Sequence, residues 1–153
     1  MQNRQITLTR LIAAPPETVW RCWTDPAILP QWFGPEGYHC TTKEIDLREG
    51  GLWRFDMIGP DGTVWANRHR FTLHHAPQRI EFLMDADSDD DTPYEVVVTL
   101  APENGGTRLT QTMTFPTQES RDGALAYGAD RLGQTTLAKL EGQAILLLPR
   151  SSS

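Results

Sequence analysis

Hydrophobic positions along this chain recur with two periods, and the switches between them mark out the elements. Ile6, Leu8 and Ile12 alternate with polar neighbours, as in a strand with one buried face, and Arg10 intrudes on that face. From Pro16 the spacing becomes helical. Val19, Trp20 and Trp23 fall on one side, Pro16 and Glu17 suit a first turn, and Asp25-Pro26 ends the segment. A second short helix is expected before Trp32-Phe33-Gly34-Pro35. Trp20, Trp23 and Trp32 give these short helices a large apolar load that must be covered.

Alternation then returns over residues 38–47, 52–58, 63–75, 79–84, 94–100 and 107–115. Glu49-Gly50-Gly51, Gly59-Pro60-Asp61-Gly62, Pro77-Gln78 and Glu103-Asn104-Gly105-Gly106 join these runs as turns. Short connections between neighbouring strands predict an antiparallel meander. The acidic run 85–91 reads as a solvated hairpin loop; it lacks the glycine and terminal glutamate of a helix-loop-helix calcium site. The last segment, about 117–148, is expected to be helical, with Leu125, Ala129, Leu132, Thr136, Leu140, Ala144 and Leu147 as one stripe widened by Leu137 and Leu148. Gly123, Gly128 and Gly133 weaken its first half, so a late start or a kink is expected there.

The strand period assigns faces. Trp53, Phe55 and Met57 point one way, as do Trp65, Asn67, His69, Phe71 and Leu73, then Ile80, Phe82 and Met84, then Leu109, Gln111, Met113 and Phe115. A sheet with one aromatic face must bury it, and the striped final helix is the obvious cover. This predicts an α+β chain forming a single domain across residues 1–153, with an ordered core of about 5–148.

Composition narrows the function. A formal charge of −6 argues against a nucleic-acid partner. No apolar run reaches membrane-spanning length and no signal pattern opens the chain, so a cytoplasmic location without membrane insertion is expected. Cys22 and Cys40 have no metal-type spacing and read as reduced thiols. His74 and His75 point to opposite faces of a strand and so suit no single metal ion. No phosphate loop, dinucleotide fingerprint or Ser-His-Asp order occurs, so no cofactor and no catalytic set is assigned. Arg10 is expected to pair with an acid near the sheet edge.

Several motifs occur in a family's order: Arg10 with Ala14-Pro15, Val19-Trp20, Trp23-Thr24-Asp25-Pro26, Trp32-Phe33-Gly34-Pro35, Asp46-Leu47-Arg48-Glu49-Gly50-Gly51, Pro60-Asp61-Gly62 and Thr107-Arg108-Leu109-Thr110. The chain resembles the family named for homology to an activator of the heat-shock protein 90 ATPase, within the superfamily of START domains, polyketide cyclases and the birch-pollen allergen. The resemblance implies a helix-grip fold: a curved antiparallel sheet wrapped around a long C-terminal helix, with two short helices between the first two strands. It also implies a cavity between sheet and helix. Two departures stand out: Leu132-Gly133 where the family usually has Gly-Trp, and His69 where it often has glycine.

The function expected is binding of a small apolar or aromatic molecule. Trp32, Phe33, Trp53, Phe55, Trp65, Phe71 and Phe82 would supply the apolar wall, Asn67, His69 and Gln111 the polar anchors, and Leu132 and Thr136 the helix side. The alternatives are an enzyme of cyclase, isomerase or hydrolase type using His69 as proton carrier, and a chaperone-regulating interaction module. An exposed edge strand leaves room for a homodimer.

Overall fold

The computed structural model describes residues 3–149. Strands β1 (Gln5–Ile12), β2 (His39–Asp46), β3 (Leu52–Ile58), β4 (Val64–His75), β5 (Arg79–Asp85), β6 (Tyr94–Glu103) and β7 (Gly106–Thr114) form one antiparallel sheet in the order β1-β7-β6-β5-β4-β3-β2. Strands β2 to β7 are a meander, and β1 adds to it beside β7. Helices α1 (Pro16–Thr24) and α2 (Leu29–Trp32) lie between β1 and β2, and α3 (Gln118–Tyr127) and α4 (Ala129–Leu146) follow the sheet. The helix-grip expectation is met.

Local chemistry explains the ends. Pro16 opens α1 with Glu17 in its first turn, and Asp25 caps it. Thr117 and Ser120 form a reciprocal capping box at the start of α3. The final helical segment is interrupted at Gly128, whose φ of 98° ends α3 and begins α4. The expected weakness is therefore a break, placed where glycine alone adopts the left-handed backbone without strain. Gly133 lies within α4, and a side chain there would run into Leu8 of β1. Its absence lets the helix sit close to the sheet.

The burial stripe of α4 is narrower than the expected one. Leu137, Leu140 and Ala144 are buried, whereas Leu132, Thr136 and Leu147 are only partly covered. The break at Gly128 sets the angle at which α4 crosses the sheet, and a single uninterrupted period could not register it. Arg10 does pair with an acid: its guanidinium donates to Glu141 Oε1 at 2.9 Å, across to α4.

The acidic run corrects the expectation of a merely solvated loop. It folds back over the outer face of the sheet, against cations on β2, β3 and β4. Arg68 grips Asp85 through two hydrogen bonds of 3.0 and 2.8 Å, Arg70 adds a third at 3.0 Å, and Arg54 holds Asp87 in the same forked manner. Lys43 and Asp89 extend the network. Burial pushes the Asp85 carboxyl up, but hydrogen bonds from Arg68 and the Asp87 backbone, with the charges of Arg68 and Arg70, outweigh it and hold it below its ordinary value. The alternation of Arg54, Arg68 and Arg70 on the outward face was readable; the return of the loop onto them was not.

Candidate functional site

On the inner face the strands carry a continuous aromatic layer. Trp53 and Phe55, two residues apart on β3, stack with centroids 3.7 Å apart. His69 of β4 faces both edge-on at 5.2 Å and lies nearly parallel on Phe82 at 4.5 Å. Phe33, just after α2, closes over this group: its ring is 4.9 Å from His69, 5.5 Å from Trp53 and 5.9 Å from Phe55. Phe71 and Trp23 complete the cluster, and Trp32 meets Trp23 edge-on at 4.8 Å. Such edge-to-face pairs are worth about 0.5–1.5 kcal/mol each beyond area burial.

Two of the polar ring atoms in this layer find partners. Trp53 Nε1 donates to Thr42 Oγ1 at 3.0 Å, and Trp32 Nε1 donates to the Cys22 carbonyl at 2.9 Å. His69 does not: it is fully buried, and neither ring nitrogen has a hydrogen-bond partner. Burial drives its pKa down to about 3, against an opposing pull from Asp85 behind the sheet. The imidazole is therefore neutral at physiological pH. Trp23 Nε1 is likewise buried without a partner.

Beside this layer, at the end of β3 and the start of β4, lies an apolar pocket of about 390 Å³. Pro35 and Tyr38 form one wall, Met57, Trp65 and Asn67 the sheet side, and Tyr127 and Leu132 the side at the α3–α4 break. Trp65 is 50% exposed and Tyr127 64% exposed, so two large rings stand open at the mouth. The neighbouring Tyr127 hydroxyl pushes the Tyr38 phenol above its ordinary pKa. The wall at residues 34–38 is held to α4 by Lys139, whose ammonium donates to the carbonyls of Gly34, Tyr38 and Pro35 at 3.0, 3.3 and 3.4 Å. The Glu36 amide adds a bond to Thr135 Oγ1 at 3.1 Å. Partial burial lowers the Lys139 pKa, against the opposing influence of Cys40 and Glu36.

The expected site residues thus divide into groups. Trp65, Asn67 and Leu132 line the mouth pocket, and Trp65 stands half in solvent where alternation placed it wholly inside. It lies near the start of β4, where the helices no longer cover the sheet. The Asn67 amide donates to the Trp65 carbonyl at 3.0 Å. Trp32, Trp53, Phe55, His69, Phe71 and Phe82 are buried in the layer beneath, and Phe33 is partly so. Gln111 sits apart, between Leu8 and Val98 on neighbouring strands. The Thr136 hydroxyl turns back onto the Leu132 carbonyl. Pro35, Tyr38, Tyr127 and Met57 also line the pocket and are not among the expected site residues. Gly34 and Gly37 marked the loop that carries the first two, and Gly128 the break beside the third.

Cys22 and Cys40 are free thiols, which burial pushes up to about 11 and about 12. Among the described residues no cluster of acids, histidines and cysteines suits a metal ion. Nor, among them, is any helix long and apolar enough to cross a membrane.

Comparison with known proteins agrees with this architecture. Protein Ms6760 from Mycobacterium smegmatis is 27% identical with a TM-score of 0.84, over 95% of this chain and 93% of that one. Protein CV1439 from Chromobacterium violaceum is 28% identical at a TM-score of 0.79, over 97% and 100%. An AHSA1-like protein from Aeromonas hydrophila is 27% identical at 0.74, over 97% and 99%. None of the curated proteins matches the chain. The family model described as activator of Hsp90 ATPase homolog 1-like protein matches residues 13–143, and the chain belongs to that family.

Proposed function

We propose that this protein binds a small apolar or aromatic molecule at the mouth between β3, β4 and the α3–α4 break, without chemistry of its own. The observation that carries this reading is the pairing of an apolar pocket with two large rings, Trp65 and Tyr127, left open to water at its rim. Soluble domains ordinarily cover such surface, and contiguous exposed apolar area marks a binding site. The position supports the reading too, since it lies at the open end of the sheet–helix grip.

The enzymatic alternative is the weaker one. A general base needs a pKa near working pH and reach to a substrate proton. His69 has a pKa of about 3, with no carboxylate bonded to it.

The test is a thermal-shift and native mass-spectrometry screen of the full chain against small neutral aromatics. Binding with a rise in melting temperature supports the proposal, particularly if it is lost in Leu132→Gln, a half-covered pocket position. An unresponsive chain, or binding indifferent to Leu132→Gln and Trp65→Ser alike, would refute it.

A further inference from the structure

We propose that the mouth pocket and the Phe33 ring belong to one site with two states: an uncharged aromatic molecule bearing a hydroxyl takes the place of Phe33 and hydrogen-bonds to His69. This deepens, and rests on, the reading that a small apolar molecule enters at the mouth.

The register carries the geometry. The loop wall and the sheet side of the pocket lead into the aromatic layer by steps of two residues: Pro35 to Phe33, Met57 to Phe55, and Asn67 to His69. On the sheet the paired rows run Met57–Trp65, Phe55–Asn67 and Trp53–His69. Two residues of strand advance about 6.6 Å, so the His69 ring lies one side-chain layer behind the pocket floor, with Phe33 over it.

Phe33 is the ring of this layer that can leave. Trp53, Phe55, His69 and Phe82 are fixed on paired strands and buried, whereas Phe33 lies on a loop and is only partly covered. It caps the four-residue α2 and precedes Gly34, whose φ of 101° sets the chain's exit. The following residues are held to α4 by Lys139 and Thr135.

What the displaced ring uncovers defines the ligand. Phe33 packs against two buried side chains whose polar atoms lack partners: His69 at 4.9 Å and Trp23 at 6.3 Å. An apolar molecule would leave them as they are. A neutral imidazole offers one donor and one acceptor, and a hydroxyl can answer either. A carboxylate would lose its hydration with no free cation among the described residues of the layer to meet it. Lys139, the nearby ammonium, is spent on three loop carbonyls.

The Phe33 side chain is a benzyl group, so matched probes are benzyl alcohol, toluene and benzoate, titrated into the full chain. Binding is read from the Met57 methyl resonance, and engagement of the imidazole from the His69 ring nitrogens in a side-chain ¹⁵N–¹H correlation. Benzyl alcohol is expected to move both and to bind about three- to tenfold tighter than toluene, the ratio one neutral hydrogen bond supplies. Benzoate is expected to bind neither place. In His69→Phe, toluene binding should persist while the preference for the alcohol disappears; the wild-type ring signals answer the question even if that variant fails to fold. Equal binding of alcohol and toluene, with Met57 responding and His69 silent, overturns this inference and leaves mouth binding intact. Silence of Met57 to every probe overturns both.

Discussion

The imidazole of His69 lies against the ring of Phe82, centroids 4.5 Å apart and planes 18° from parallel, with neither nitrogen bonded. A neutral histidine tolerates that setting and an imidazolium does not, so the pair makes stability depend on pH. The folded pKa of about 3 lies below the ordinary value near 6.5, and between the two only the unfolded chain takes up the proton. Stability should therefore fall as pH drops through this window, at up to about 1.4 kcal/mol per pH unit from this residue. Urea unfolding at neutral and mildly acidic pH, wild type against His69→Phe, measures it. The variant should lose less stability on acidification; parallel losses would show that His69 is not held neutral by burial.

A second acid-sensitive element lies on the outer face. Asp85 is held below its ordinary carboxylate pKa by Arg68 and Arg70, so its contribution is present above about pH 4 and disappears as pH falls further. Asp85→Asn leaves two guanidiniums facing a neutral amide. Its cost should be about 3 kcal/mol, the low end for a broken buried pair because the Arg70 side chain is 41% exposed. Asp87→Asn, on partly exposed Arg54, should cost less. Chemical denaturation of both variants checks the ranking, and a reversed order would contradict the network described.

Lys139 predicts a local effect. Lys139→Met keeps the aliphatic stem and removes the donor to the carbonyls of Gly34, Pro35 and Tyr38. Amide hydrogen exchange should quicken at 34–38 with a global loss of about 1–2 kcal/mol. Exchange that quickened evenly across the chain would mean the lysine does not fasten that loop.

Two glycines in the last helices should respond oppositely. Gly128→Ala forces a side chain into φ 98° beside Arg131 and should cost about 1 kcal/mol or more. Gly142→Ala sits within α4 with open space around it and should gain about 0.5–1 kcal/mol. Thermal unfolding of the two variants reads the difference, and equal effects would contradict the break at Gly128.

Strand alternation was enough to place Trp53, Phe55, Phe71 and Phe82 in the core, because side-chain direction in a strand depends only on parity. It could not say where along β4 the cover ends, so Trp65 was assigned inside although it stands at the rim. Parity also put His69 inward, but not that its nitrogens would go unmatched, which depends on neighbours from three other segments. The pocket wall at Pro35 and Tyr38 and the Asp85–Asp87 clasp arise from loops folding back across long sequence separations. No local period records those contacts; glycine and charge in the chain marked only where they could occur.

The most direct test of the binding site is the Met57 methyl resonance in methionine-labelled protein titrated with toluene. Met57 lines the mouth pocket, and Met113 lies buried on β7 as an internal control. The expected result is a saturable shift of Met57 with Met113 unmoved, abolished in Leu132→Gln. A Met57 signal that stays fixed while toluene saturates the sample would contradict the account.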